Sequence, residues 1–198
     1  MTTLTALALN CTLKQSPEPS STALLASQLL AELEKHGVSG SALRVVDFDV
    51  KPGVEADMGD GDDWPHIREQ LIAADIVVLA APTWMGQLSS VGMRVLERLD
   101  ADLTSRAFYN KVAVAAVVGN EDGAHQIVSQ VFQAMGDVGF TIPAQGSTYW
   151  NGEAMHTVNY IDLRKTPEST ADATAAVALN AAHLAGALKD RQYPNPKG

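Results

Sequence analysis

The sequence predicts a doubly wound α/β fold: a five-stranded parallel sheet, order 2-1-3-4-5, with helices on both faces. Three observations predict it. Short apolar runs of strand length alternate along the chain with longer stretches of helical period. The runs at 76–80 (IVVLA) and 112–118 (VAVAAVV) are apolar at every position, as strands covered on both faces are. Polar segments containing Gly or Pro follow strands one, three and four, the edge at which open α/β sheets bind ligands.

Strand one is the apolar run 4–9 (LTALAL). The segment 10–22 (NCTLKQSPEPSST) contains Pro17 and Pro19, which rule out continuous helix or central strand. Helix one starts near Ser21 or Thr22, both suitable N-caps, with Leu25, Leu29 and Leu33 recurring at i+4. Gly37 is placed to stop it. Strand two is read at 42–46. Residues 47–61, rich in Asp and Gly, read as a surface loop. Asp62 or Asp63 caps helix two, with Pro65 in its first turn and Ile67, Leu71 and Ile72 on its buried side.

Strand three ends at Pro82, which has no N–H to give to a ladder. Thr83, Trp84, Met85 and Gly86 make a short loop, and helix three follows Ser89 with Val91, Val95, Leu96 and Leu99 on one side. Strand four is 112–118, and GNEDG (119–123) is its loop. Helix four carries Ile127, Val131, Met135 and Val138. Strand five is read at 140–144, weakened by Pro143 as an edge strand can be. Residues 145–168 show no period and read as a functional connection or interaction arm. The last helix covers 170–188. With no internal repeat, residues 1–192 read as one domain and 193–198 as a frayed tail. Right-handed crossovers leave the 2-1-3-4-5 order, in which the loops after strands one, three and four share one crevice.

Composition narrows the function. The 198 residues carry a net charge of −9, against the clustered Lys and Arg that nucleic acid or an anionic membrane needs. No stretch approaches the ~20 apolar residues of a membrane span, and no basic segment precedes an apolar core as in a signal peptide. Cys11 is the single cysteine, so no intramolecular disulfide forms. A cytoplasmic protein is expected.

The loop after strand one offers Thr12, Lys14, Ser16, Ser20, Ser21 and Thr22 just before a helix, whose unpaired N–H groups favour a phosphate. The same residues also read as a capping cluster on a solvated loop. Trp84 reads as a ring that stacks on or flanks a ligand, or as a loop anchor. Gly119, Asn120 and Gly123 allow close backbone approach, or simply a strand-to-helix turn. Cys11 reads as a buried filler and His125 as a surface residue. No GxGxxG, GxxxxGK[ST], GxSxG, HExxH or Cys-x-x-Cys motif is present, and His36, His66, His156 and His183 lack metal-ligand spacing.

Assembled, the loops NCTLKQSPEPSST, ADIVVLAAPTWMGQLSS and VVGNEDGAHQ resemble those of the flavodoxin-like superfamily. More narrowly they resemble the NAD(P)H-dependent FMN reductases and multimeric flavodoxin-type quinone reductases. The resemblance covers about residues 4–144. It implies that Thr12, Lys14, Ser20, Ser21 and Thr22 hold the FMN phosphate. It implies that Pro82, Thr83, Trp84, Met85 and Gly86 border the ring and ribityl chain, and that Gly119, Asn120, Glu121, Asp122 and Gly123 close the far side. The phosphate loop departs from the short SxTGxT-type loop of flavodoxins by its length and its two prolines. The expected function is an FMN-dependent oxidoreductase. It passes hydride or electrons from NAD(P)H to a small-molecule quinone, azo, nitro or flavin acceptor, with no catalytic acid or base assigned. The alternatives are a flavodoxin-type electron carrier without its own NAD(P)H turnover, and a flavin-free interaction protein. The resemblance also implies a homodimer or homotetramer, with Tyr149, Trp150 and Asn151 as candidates for the interface or for a lid.

Overall fold

The structure, a computed structural model, describes residues 4–153 and 156–195. Its elements in order are β1 (Leu4–Asn10), α1 (Ser21–Glu34), β2 (Val38–Arg44), α2 (Trp64–Ala73), β3 (Ile76–Trp84) and β4 (Gln87–Leu88). They continue with α3 (Ser90–Arg98), β5 (Val112–Gly119), α4 (Ala124–Asp137), β6 (Ser147–Asn151) and α5 (Glu168–Asp190). The main sheet runs β2-β1-β3-β5-β6 with every pair parallel. Counting parallel strands only, that is the expected 2-1-3-4-5 order. The two-residue β4 pairs antiparallel with the end of β3 and lies off this path.

The period of a strand decides which helices it meets. Val77, Leu79 and Ala81 of β3 pack with Ile67 and Leu71 of α2, Val95 of α3 and Ile127 and Val131 of α4. The alternate residues Ile76, Val78 and Ala80 pack with Leu25 and Leu29 of α1 and Val177 and Ala181 of α5. Both faces of β3 are therefore dry, which is why its sequence is an unbroken apolar run.

Both edge strands differ from expectation. The second strand is Val38–Arg44, not 42–46, and Val45–Asp47 is a 3-10 turn. Ser39, Gly40, Ser41 and Ala42 are exposed, so the strand is held by its ladder to β1 rather than by an apolar face. The last strand is Ser147–Asn151, inside the stretch read as patternless, rather than 140–144. In 140–144, Pro143 has no N–H, and pairing is limited to a single bridge between Thr141 and Val112. Phe140 contributes a ring instead, stacked on Phe108 at 4.7 Å.

Within the tail read as frayed, the Tyr193 N–H donates to Asn110 Oδ1 at 2.7 Å and its ring meets Tyr109. Residues 196–198 lie outside the described residues. Among the described residues no helix is long and apolar enough to cross a membrane.

Candidate functional site

The parallel strands deliver the ends of β1, β3 and β5 to one edge of the sheet. After β1 the chain is held open by a neighbour in space. Arg44, at the end of β2, donates through Nη1 to the carbonyls of Lys14, Gln15 and Glu18 at 3.2, 2.9 and 2.9 Å. Asp47 accepts from the N–H and the hydroxyl of Ser16, bonds that keep its carboxyl below the usual carboxylate range. Ser20 is the N-cap of α1, accepting from the Ala23 N–H at 3.2 Å, one residue earlier than the sequence suggested. With Ala23 capped, the N–H groups of Ser21 and Thr22 are those of the first turn of α1 left without an intrahelical partner.

At the end of β3 the strand does not stop at Pro82. It continues through Thr83 and Trp84, which pair with Leu88 and Gln87 of β4. Met85 and Gly86 form the connecting turn with φ of 51° and 73°, the two positive values of a tight hairpin. The loop after β5 locks onto this turn. Glu121 Oε1 accepts the Met85 N–H at 2.8 Å. A side chain at Gly123 would come within 2.7 Å of the Gly86 backbone, so the two loops touch main chain to main chain.

Between these loops lies a cleft open to solvent. Thr12, Lys14, Ser20, Ser21 and Thr22 line one end. Pro82, Thr83, Trp84, Gly119 and Asn120 line the other. These expected site residues are thus brought together. Met85, Gly86, Glu121, Asp122 and Gly123 do not line the cleft; they shape the hairpin beside it. Met85 is 89% exposed.

Sequence reasoning missed Leu13, Val118, Asn159, Tyr160 and Ile161 as lining residues. Trp150, singled out for an interface or lid, lines the cleft itself, with its ring 5.5 Å from that of Tyr160. Tyr149 points to the opposite face and meets His125, with Tyr149 Oη 3.1 Å from His125 Nε2. Asn151 is an exposed residue at the end of β6.

The donor set of the cleft is defined. Thr83 is 5% exposed, lines the cleft, and its Oγ1 has no hydrogen-bond partner among the described residues. A buried hydroxyl without a partner costs ~1–3 kcal/mol. Gly119 gives the Thr83 side chain its space: a Cβ there would fall 2.6 Å from Thr83 Cβ and 2.8 Å from its Oγ1. The lining has hydroxyls, amides, one lysine and aromatic rings, but no carboxylate, imidazole or thiol among the described residues. Cys11 is fully buried beneath the loop, and burial pushes its thiol pKa up to about 12, so it is not a nucleophile. A phosphate ester joined to a flat ring matches these donors; a substrate that needs a general base does not.

Comparison with known proteins agrees. The model of the NADPH-dependent FMN reductase family matches residues 4–155, and FMN with NAD(P)H as donor is the cofactor pairing of that family. The 8-demethyl-8-aminoriboflavin-5'-phosphate synthase of Streptomyces davaonensis is 32% identical over 96% of this chain and 80% of that protein. A Mycobacterium bovis protein named divalent metal cation transporter MntH is 36% identical over 94% of this chain, but the chain spans 29% of its length. The crystal structure of RosB with the bound intermediate 8-demethyl-8-formylriboflavin-5'-phosphate superimposes with a TM-score of 0.86, at 32% identity, covering 96% of this chain and 82% of that one. With a family model spanning most of its length and a relative covered to 80% of its own, this chain belongs to the NADPH-dependent FMN reductase family.

Proposed function

We propose that this protein is an FMN-dependent oxidoreductase of the cytoplasm. It takes reducing equivalents from NAD(P)H and delivers them to a small-molecule acceptor of the quinone, azo, nitro or free-flavin class. The observation that supports this most is the joint placement of the α1 N-terminus, the unpartnered Thr83 hydroxyl and Trp84 around one cleft. Thr12, Lys14, Ser20, Ser21 and Thr22 would hold the phosphate, and Pro82, Thr83, Trp84, Gly119 and Asn120 the ring and its polyol chain. FMN, when bound, supplies the electron chemistry.

The chain's own residues bind and orient. The α1 N-terminus and the Lys14 ammonium offset the phosphate charge. Trp84, 53% exposed, offers a flat apolar surface at the mouth where a second ring can stack. Tyr160, Trp150 and Val118 exclude water from the inner wall. No residue of the lining is asked to take a proton. A homodimer or homotetramer is part of this reading, to be checked by mass in solution.

Steady-state NADPH oxidation with a quinone tests the proposal: turnover supports it, and a flavin-loaded protein with almost no turnover is an electron carrier instead. A second reading is favoured by the 32% identity to a synthase of a modified riboflavin phosphate. On that reading the flavin phosphate is itself the substrate. The mass of flavin recovered after turnover separates the two, since a cofactor returns unaltered.

A further inference from the structure

Resting on the flavin reading above, we propose that Gly152 is a positioning residue for the cleft. Its missing side chain lets the Trp150 indole and the Asn120 backbone stand where they do. It thereby sets the width of the slot that a flat ring must enter.

Gly152 is not itself part of the cleft lining, whereas Trp150 and Asn120 are. It lies one residue past the end of β6 and extends the ladder, its N–H donating to the Gly119 carbonyl at 2.7 Å. Side chains two apart on a strand share a face, so a side chain at 152 would point the way Trp150 does. A Cβ there would fall 2.7 Å from Trp150 Cη2, 2.9 Å from Asn120 Cα and 3.1 Å from Asn120 Cβ. The backbone of Gly152 does not take the left-handed conformation that favours glycine on its own account. Space, not dihedral freedom, is what the position demands.

The two neighbours differ in what they can yield. Asn120 belongs to a loop pinned to the β3–β4 hairpin. The Met85 N–H donates to Glu121 Oε1 at 2.8 Å, and a Cβ at Gly123 would come within 2.7 Å of the Gly86 backbone. Asn120 Nδ2 also donates to the His156 carbonyl at 3.4 Å. Trp150 Cη2, by contrast, is the far end of a side chain that turns about two bonds. Beside that indole stands Tyr160, its ring 5.5 Å away, 2% exposed and held by its hydroxyl, which donates to Gln28 Oε1 at 2.6 Å. The room left for the indole to turn is on the cleft side. A methyl group at 152 therefore pushes Trp150 into the space that the ring and polyol of FMN would use.

The test reads binding and its rescue. Flavin-fluorescence quenching gives the FMN affinity of the full chain for wild type, Gly152→Ala, Trp150→Phe and the double variant. Gly152→Ala is expected to bind FMN about tenfold more weakly than wild type. Phenylalanine is shorter and does not reach the place of Cη2, and Glu153 beyond Gly152 is exposed, so the chain there is free to move off Asn120. The double variant is thus expected to bind FMN within about threefold of Trp150→Phe alone. A merely structural glycine gives a different pattern: a lower urea midpoint with alanine in either background, and no change in the FMN affinity of the folded molecules. Gly152→Ala binding FMN within about twofold of wild type overturns the proposal. So does a double variant still about tenfold weaker than Trp150→Phe. The second comparison stands even where Gly152→Ala alone fails to fold. If wild type binds no flavin, the flavin reading falls and the role of Gly152 falls with it; FMN binding by wild type without the rescue removes the role of Gly152 alone.

Discussion

Asp62 and Thr83 are both polar groups taken out of water by this fold, and their surroundings differ in kind. The Asp62 side chain is fully buried. It accepts from the N–H groups of Lys51, Met58 and Trp64 at 3.0–3.2 Å and pairs with Arg98 Nη2 at 2.7 Å. Burial alone would raise its pKa, but these donors outweigh it and hold the carboxyl well below the usual carboxylate range. Arg98, itself 0% exposed, also donates to the carbonyls of Lys51 and Glu55 and lies 5.5 Å over the Trp64 ring. Two donors there, Arg98 Nε and Trp64 Nε1, stay unpaired, but neither lines the cleft. The Thr83 hydroxyl is buried and meets no partner among the described residues, and its residue is part of the cleft wall. A charge closed upon the protein fixes a loop; an unpartnered hydroxyl in the wall of a cleft is not closed in that way.

The contrast can be broken by mutation. The largest effect is expected at the closed site. Asp62→Ala leaves Arg98 buried without its partner and should destabilise the protein by ~3–5 kcal/mol in urea unfolding. The flavin affinity of the molecules that remain folded should be unchanged. The sign with pH follows from the depressed pKa of Asp62. Its contribution is present above the unfolded carboxylate value of about 3.9 and is lost as pH falls below it. Asp62→Asn should flatten that acid limb.

At the mouth of the cleft, Trp84→Ala should remove a stacking surface of ~1–3 kcal/mol. NADPH oxidation should fall about 10–100-fold while FMN stays bound. Unchanged kinetics would refute a stacking role.

The smallest effect is expected at Thr83, and it is the most diagnostic. Thr83→Val removes the unpartnered hydroxyl at nearly constant shape. It should weaken FMN binding about tenfold while leaving the free protein equal in stability or up to ~1 kcal/mol more stable. Equal losses of stability and affinity would mean that Thr83 is a structural residue.

The central strands were legible because β1, β3 and β5 carry apolar residues on both faces. The edge strands were not. β2 carries Ser39, Gly40 and Ser41 to solvent, and β6 reads STYWN, so each depends on a neighbour's ladder that the local sequence does not announce. The cleft divides the same way. Hydroxyls before α1 and the aromatic at the end of β3 signalled themselves by spacing. Tyr160 and Ile161 did not, because Ile161 reaches Ser21 across 140 residues and no period marks the turn between them. Arg44 was silent for the same reason: its three carbonyl partners lie 26 to 30 residues away. Glu121 was expected to close the far side of the site; its carboxylate accepts the Met85 N–H, a contact set by two loops folding together.

The most direct measurement is a titration of FMN with the purified chain, followed by fluorescence and by the visible spectrum before and after NADPH. The account predicts saturable quenching, a protein-bound yellow chromophore and bleaching on addition of NADPH. Full FMN fluorescence in the presence of excess protein would contradict it.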